Sequence, residues 1–238
     1  MKLENYNDYK EYSVKIYDIR MSMSVLNWDQ ETKMPKNGSR FRAQQLSTLA
    51  KIAYELSTDE NYGKLLETLN NDESLNSDQK RNIFLSRKEF LKNKKYSSEF
   101  IVKQSKLISK AFNDWRIAKE KNDFKLFQDS LEKLVELRKE ECELIGYTNH
   151  PYDALLDRYE PNLTTKDVDL IFKDVKEKLV PFIKLIAKNN HVDDSFFYQS
   201  YDQNKQWNFG IKLLKQMGYD FDSGRQDISA HPFSSHFS

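Results

Sequence analysis

Two of the chain's four histidines, His231 and His236, fall in its last eight residues, within RQDISAHPFSSHFS, Arg225–Ser238. A histidine pair holds zinc when both rings lie on one face of a helix, three or four positions apart. These two stand five apart. On a helix that is a rotation of about 500°, which leaves the rings about 140° apart. In a strand they point to opposite faces. Pro232, directly after His231, also argues against a helix. A loop could join them, but no cysteine or acidic triplet stands nearby. The expectation is one histidine packed at a turn and one exposed, rather than an internal zinc site.

Other chemistry-bearing groups have plain structural readings. Asp153 and Asp157 in YDALLDRYE are one helical turn apart and could bind a metal or share a proton. With Arg158 beside them, a salt-bridged helix face is expected instead. Lys139–Glu143, KEECE, reads as a charged helix surface around a buried Cys142. His150 precedes Pro151 at a helix start and reads as structural. His191 follows KNN and reads as exposed. Trp28 and Asp29, with Arg40 and Arg42 at the next helix start, could pack together or line a groove. Residue physics favours packing. No nucleophile elbow, P-loop, dinucleotide fingerprint or H-E-x-x-H occurs.

The elements that would position these groups are helices. Phe100, Leu107, Ile108, Ala111, Phe112, Trp115 and Ala118 form one stripe, with Ser97 or Ser98 as cap. Phe127, Leu131, Leu134, Val135, Cys142 and Ile145 form another from Asp123, ended by Gly146. A third runs through Val168, Ile171, Phe172, Val175, Leu179, Phe182, Ile183 and Ile186. Thr164 and Asp167 form a capping box at its start, and Pro181 is expected to kink or divide it. Earlier helices are expected over Leu3–Asn27, Ser39–Leu56, Tyr62–Leu69 and Ser77–Asn93, and a late one over Asp202–Met217. Lys33–Ser39 and Tyr159–Thr165 read as loops. After Gly224 the helical pattern is lost, and the end reads as a loop or the beginning of a strand. With only 6 glycines and 5 prolines in 238 residues, long elements with few connections are expected. The fold class is all-α, a long-helix bundle forming one unit over residues 1–238.

Charge is dense but balanced, with 38 Lys and Arg against 37 Asp and Glu. There is no basic excess to attract nucleic acid or an anionic membrane. The basic run LKNKKY, Leu91–Tyr96, is read as complementing a helix C-terminus. Cys142 is alone, so no internal disulfide is possible. No apolar run approaches the roughly 18 residues of a membrane span, and the N-terminus has no signal-peptide core. A cytoplasmic setting is expected.

LNWDQETKMP, RAQQLSTLA, DFKLFQDSLEKLVEL, YDALLDRYEPNLTT and LLKQMGYDFDSGRQDISAHPFSSHFS occur in that order. Together they resemble the N-terminal half of the carboxypeptidase Taq family, over essentially the whole chain. The resemblance implies a largely helical metallocarboxypeptidase with a deep groove, a bound zinc or other divalent metal, and a homodimeric assembly. It implies peptide substrates, shortened one C-terminal residue at a time. It places His231, Pro232 and Phe233, the HPF motif, beside the substrate groove. In the family a D-x-R-x-T segment, H-E-x-x-H and a further metal-binding Glu follow. The sequence stops at Ser238, before all of them. The expectation is therefore the N-terminal portion of such an enzyme, with no catalytic residue and no metal ligand of its own. Alone it should bind no catalytic zinc, be inactive, and aggregate through unmatched apolar faces. The alternative is a non-catalytic helical module for dimerisation or peptide binding.

Overall fold

The computed structural model describes residues 5–188 and 192–236. His191 lies outside them. Nine α-helices and no strand occur among the described residues, in agreement with the all-α expectation. The described chain forms two compact units. The first is Met1–Asn162 with Ser229–Ser238; the second is Leu163–Ile228.

The first unit holds α1 (Tyr6–Thr32), α2 (Ser39–Ser57), α3 (Glu60–Asn70), α4 (Ser77–Asn93), α5 (Ser98–Lys121), α6 (Lys125–Ile145) and α7 (Pro151–Leu156). Short polar side chains start four of these helices by accepting otherwise unpaired N–H groups of the first turn. Asn5 and Asp8 form a capping box on α1, and Asn76 and Gln79 form one on α4. Asp59 caps α3 and Ser97 caps α5. Gly146 ends α6 at φ +78°, a conformation that costs glycine little. α1 runs to Thr32, five residues past the expected end at Asn27. The Trp28–Thr32 stretch continues it because Asp29 is held from α2, as described below.

Two apolar clusters hold the unit. One joins α1, α3 and α4 through Tyr9, Ile16, Tyr62, Leu65, Leu66, Leu69 and Ile83. Here α3 and α4 approach closely: a Cβ at Gly63 would stand 2.4 Å from Phe90 Cζ. The other joins α5 and α6 through Tyr96, Phe100 and Leu137, with Tyr54 of α2 against it. The Tyr54 hydroxyl donates to the Tyr96 carbonyl, which sets the end of α2 beside the start of α5.

The second unit holds α8 (Thr165–Lys188) and α9 (Gln203–Gln216). The Thr164–Asp167 capping box forms, with Asp167 N–H donating to Thr164 Oγ1 at 3.2 Å. Pro181 lies inside α8 and does not divide it. No residue of α8 or α9 is buried. Beyond Gly224 the described chain is loop.

Candidate functional site

The HPF segment belongs to the first unit and rests on α5. Lys119 Nζ donates to the Ala230 carbonyl, 111 residues along the chain. The same ammonium lies 5.2 Å from the Trp115 ring centroid. Trp115 in turn meets the His231 ring edge-on, with centroids 6.3 Å apart and planes at 62°. A cation over an indole face and an edge-to-face ring pair are both favourable arrangements of the aromatic quadrupole. Phe112 backs the indole at 5.7 Å. Ser229 Oγ donates to the His231 carbonyl at 2.7 Å, and His231 Nδ1 lies 2.8 Å from the Pro232 carbonyl oxygen. Those contacts fold the segment into a turn whose His231, Pro232 and Phe233 side chains stay exposed.

Glu31, at the end of α1, faces this turn. Burial raises its carboxyl above the usual carboxylate range, and the nearby His231 charge opposes that rise. Glu31 also borders a hollow of about 400 Å³ between α1, α2 and α5, lined by Met23, Gln30, Ile108 and Phe112 among others. Ser109 on α5 donates to Gln30 Oε1 at 3.0 Å, joining the two helices there. Glu31, Trp115 and Lys119 were not marked as site residues by the sequence. Trp115 read simply as part of the apolar stripe of α5, and nothing local ties either helix to residue 231.

The other candidates resolve as structural contacts. Asp29 pairs with Arg42 at 2.6 Å, and Arg42 also donates to the Leu26 carbonyl. This pins the end of α1 to the start of α2, the packing alternative. Arg40 is exposed. Asp157 accepts from Lys92 at 3.1 Å and from the Asn162 N–H at 3.2 Å. His150 caps α7, its Nδ1 accepting from Tyr152 N–H. The basic run near residue 94 is spent on intramolecular partners: Lys94 on Glu60 and Lys95 on the Ile145 carbonyl. Tyr96 is buried.

One expectation is corrected. KEECE is not simply a charged surface around Cys142, because Glu141 is 0% exposed. Its carboxylate accepts from Tyr96 Oη at 3.1 Å, from Arg158 at 2.6 Å and from Arg138. A buried carboxylate persists only when its lone pairs are met this fully. Glu141 thereby joins α6 to the α4–α5 connection and to the turn after α7.

Among the described residues no three His, Cys, Asp or Glu side chains come together as a metal-binding group. Three protein ligands are what a catalytic zinc takes. The described side chains offer no such set. No helix among the described residues is long and apolar enough to cross a membrane.

The carboxypeptidase Taq (M32) metallopeptidase family profile matches residues 8–238. Carboxypeptidase 1 of Bacillus subtilis is 34% identical over 215 residues, which is 90% of this chain and 43% of the relative. Thermostable carboxypeptidase 1 of Pyrococcus furiosus is 32% identical over 226 residues, 94% of this chain and 45% of the relative. The BsuCP crystal structure superposes with a TM-score of 0.94 at 34% identity, covering 98% of this chain and 47% of its own. The Pyrococcus furiosus carboxypeptidase structure gives 0.80 at 29% identity, covering 100% and 49%. The chain thus spans just under half the length of the relatives it matches. With the profile continuous from residue 8 through the HPF segment, the chain belongs to the carboxypeptidase Taq (M32) metallopeptidase family.

Proposed function

We propose that the chain is the N-terminal portion of a metal-dependent carboxypeptidase that releases single amino acids from peptide C-termini. The observation that carries this reading is the unbroken family match over residues 8–238. In this reading His231, Pro232 and Phe233 line the substrate groove and orient the peptide. Trp115 and Lys119 hold that segment on α5. Zinc or another divalent ion is the metal of the whole protein and is held by residues outside this chain. The whole protein works on peptides as a cytoplasmic homodimer, and residues 1–238 form one incomplete domain of it. Positioning a peptide without a means of activating water leaves hydrolysis without its nucleophile. The 238-residue chain alone is therefore inactive.

The test compares this chain with a longer protein read from the gene past codon 238, assayed for amino acids released from a peptide with and without a chelator. The expected result is chelator-sensitive release by the longer protein and none by the 238-residue chain. Metal-dependent release by the shorter chain refutes its incompleteness. A folded longer protein with no release refutes the activity and favours the non-catalytic module.

A further inference from the structure

α8 and α5 are both 24 residues long and both carry a continuous apolar stripe, yet their fates differ. α5 buries Phe100, Ala111 and Ala118. α8 buries nothing. Its stripe repeats at helical spacing from Val168 to Ile186, about 27 Å of helix at 1.5 Å per residue. Phe172 is 65% exposed and Ile183 53%, with Ile171, Phe182 and Ile186 all above one half. A helix of this kind takes most of its stability from packing, not from propensity. A contiguous apolar face of this length marks an interaction surface.

The opposite face bears on what covers it. Lys173, Lys176 and Lys184 are interspersed with Asp169, Asp174 and Glu177, and Lys178 pairs with Asp174 at 2.7 Å. Leu170, Val180 and Leu185 interrupt that face, and its mixed charge lacks the one-sided basic character of a helix that lies on an anionic membrane. Length bears on it too. BsuCP shares this fold over 98% of the chain, α8 included, while that match is only 47% of BsuCP. Family members thus carry more than as much polypeptide again.

We propose that the apolar stripe of α8 is the docking surface for the part of the carboxypeptidase Taq fold that lies outside this chain's match. The proposal deepens the reading above and rests on it. Phe172, Val175, Leu179, Phe182 and Ile183 insert into that partner and become its shared core, and the Lys184 face stays in water.

The test supplies the C-terminal portion of Bacillus subtilis Carboxypeptidase 1, the part outside its match to this chain, to the 238-residue protein. The expected result is a 1:1 complex on size exclusion, with amide exchange in α8 slowed about tenfold or more. Phe172→Asp and Ile183→Asp each weaken association about tenfold or more. Lys184→Asp on the opposite face and Phe84→Asp on α4 leave it unchanged, which separates docking from loss of the helix. A complex that leaves α8 unprotected, or that ignores Phe172→Asp and Ile183→Asp, overturns the proposal. So does protection of α8 by self-association of the 238-residue chain, which makes a second copy the occupant. If the two parts do not associate in trans, both are joined in one polypeptide, and an unprotected α8 there overturns it. A complex that forms through α8 but releases no amino acids refutes the activity and leaves the docking intact. An active complex indifferent to the α8 substitutions does the reverse.

Discussion

Glu141→Ala is expected to lower the unfolding free energy by about 3 kcal/mol, at the low end of the about 3–5 kcal/mol for removing one partner of a buried ion pair. The carboxylate is wholly buried and meets Tyr96 Oη, Arg158 and Arg138. The Arg138 and Arg158 side chains are 33% and 44% exposed, so both guanidiniums regain water once the carboxylate is gone. That recovery holds the cost at the low end. The Tyr96 hydroxyl loses its acceptor inside a buried residue, a loss of about 1–3 kcal/mol. Tyr96→Phe alone is expected to cost about 1 kcal/mol, because it leaves the carboxylate with both arginines. A double-mutant cycle between the two positions should then show a coupling of about 1 kcal/mol. The assay is urea unfolding followed by circular dichroism, with the m-value checked for constancy. A Glu141→Ala cost under about 1 kcal/mol at unchanged m-value, below the range for a broken buried pair, would refute the hub role of this carboxylate.

Further outcomes are open to the same kind of measurement. Burial, the leading cause in each case, pushes the Tyr12 and Tyr96 hydroxyls up to about 12. A folded value above the ordinary 10 means stability fully present below about pH 10 and lost as pH rises toward about 12; Tyr96→Phe should flatten part of that alkaline decline in urea titrations. Gly63→Ala forces a methyl against the Phe90 ring and should cost about 1–3 kcal/mol; Phe90→Leu in the same chain should recover part of it, and no cost would contradict the close approach of α3 and α4. Cys142 is buried and its thiol is raised by that burial, so a thiol reagent should label it only as fast as the protein opens; rapid labelling of native protein would show it exposed. Lys119→Met removes the donor to the Ala230 carbonyl while keeping the aliphatic stem on α5. Proteolytic cleavage within residues 225–233 should then quicken about tenfold, a loss of about 1.4 kcal/mol of local protection, with α5 uncut.

The helices were legible because their information is local. The stripe through Phe100 and Ala111, the caps at Ser97 and Thr164 and the stop at Gly146 each depend on residues within one turn of one another. The end of α1 was misread because what prolongs it, the Asp29–Arg42 pair, reaches across 13 residues into the next helix. Glu141 was misread for the same reason. It lies in a run of charged neighbours, and its partners Arg158 and Tyr96 stand 17 and 45 residues away. Of the site, the HPF motif was visible by resemblance, but its supports were not. Trp115 and Lys119 occupy ordinary positions on α5, and only the fold brings them to residues 230 and 231.

That last contact has a consequence in time. A ribosome adds about 5–20 residues per second, so the 111 residues between Lys119 and Ala230 take about 6–20 s to emerge. The first unit is therefore nearly complete, with α1 to α7 able to pack, long before its closing stretch exists. Throughout that wait the indole of Trp115 and the ammonium of Lys119 stand ready without their partner segment, while the coreless α8 and α9 are being made. Slow codons placed between residues 163 and 228 would lengthen this exposed interval and raise the share of nascent chains captured by chaperones, with no change in the finished protein.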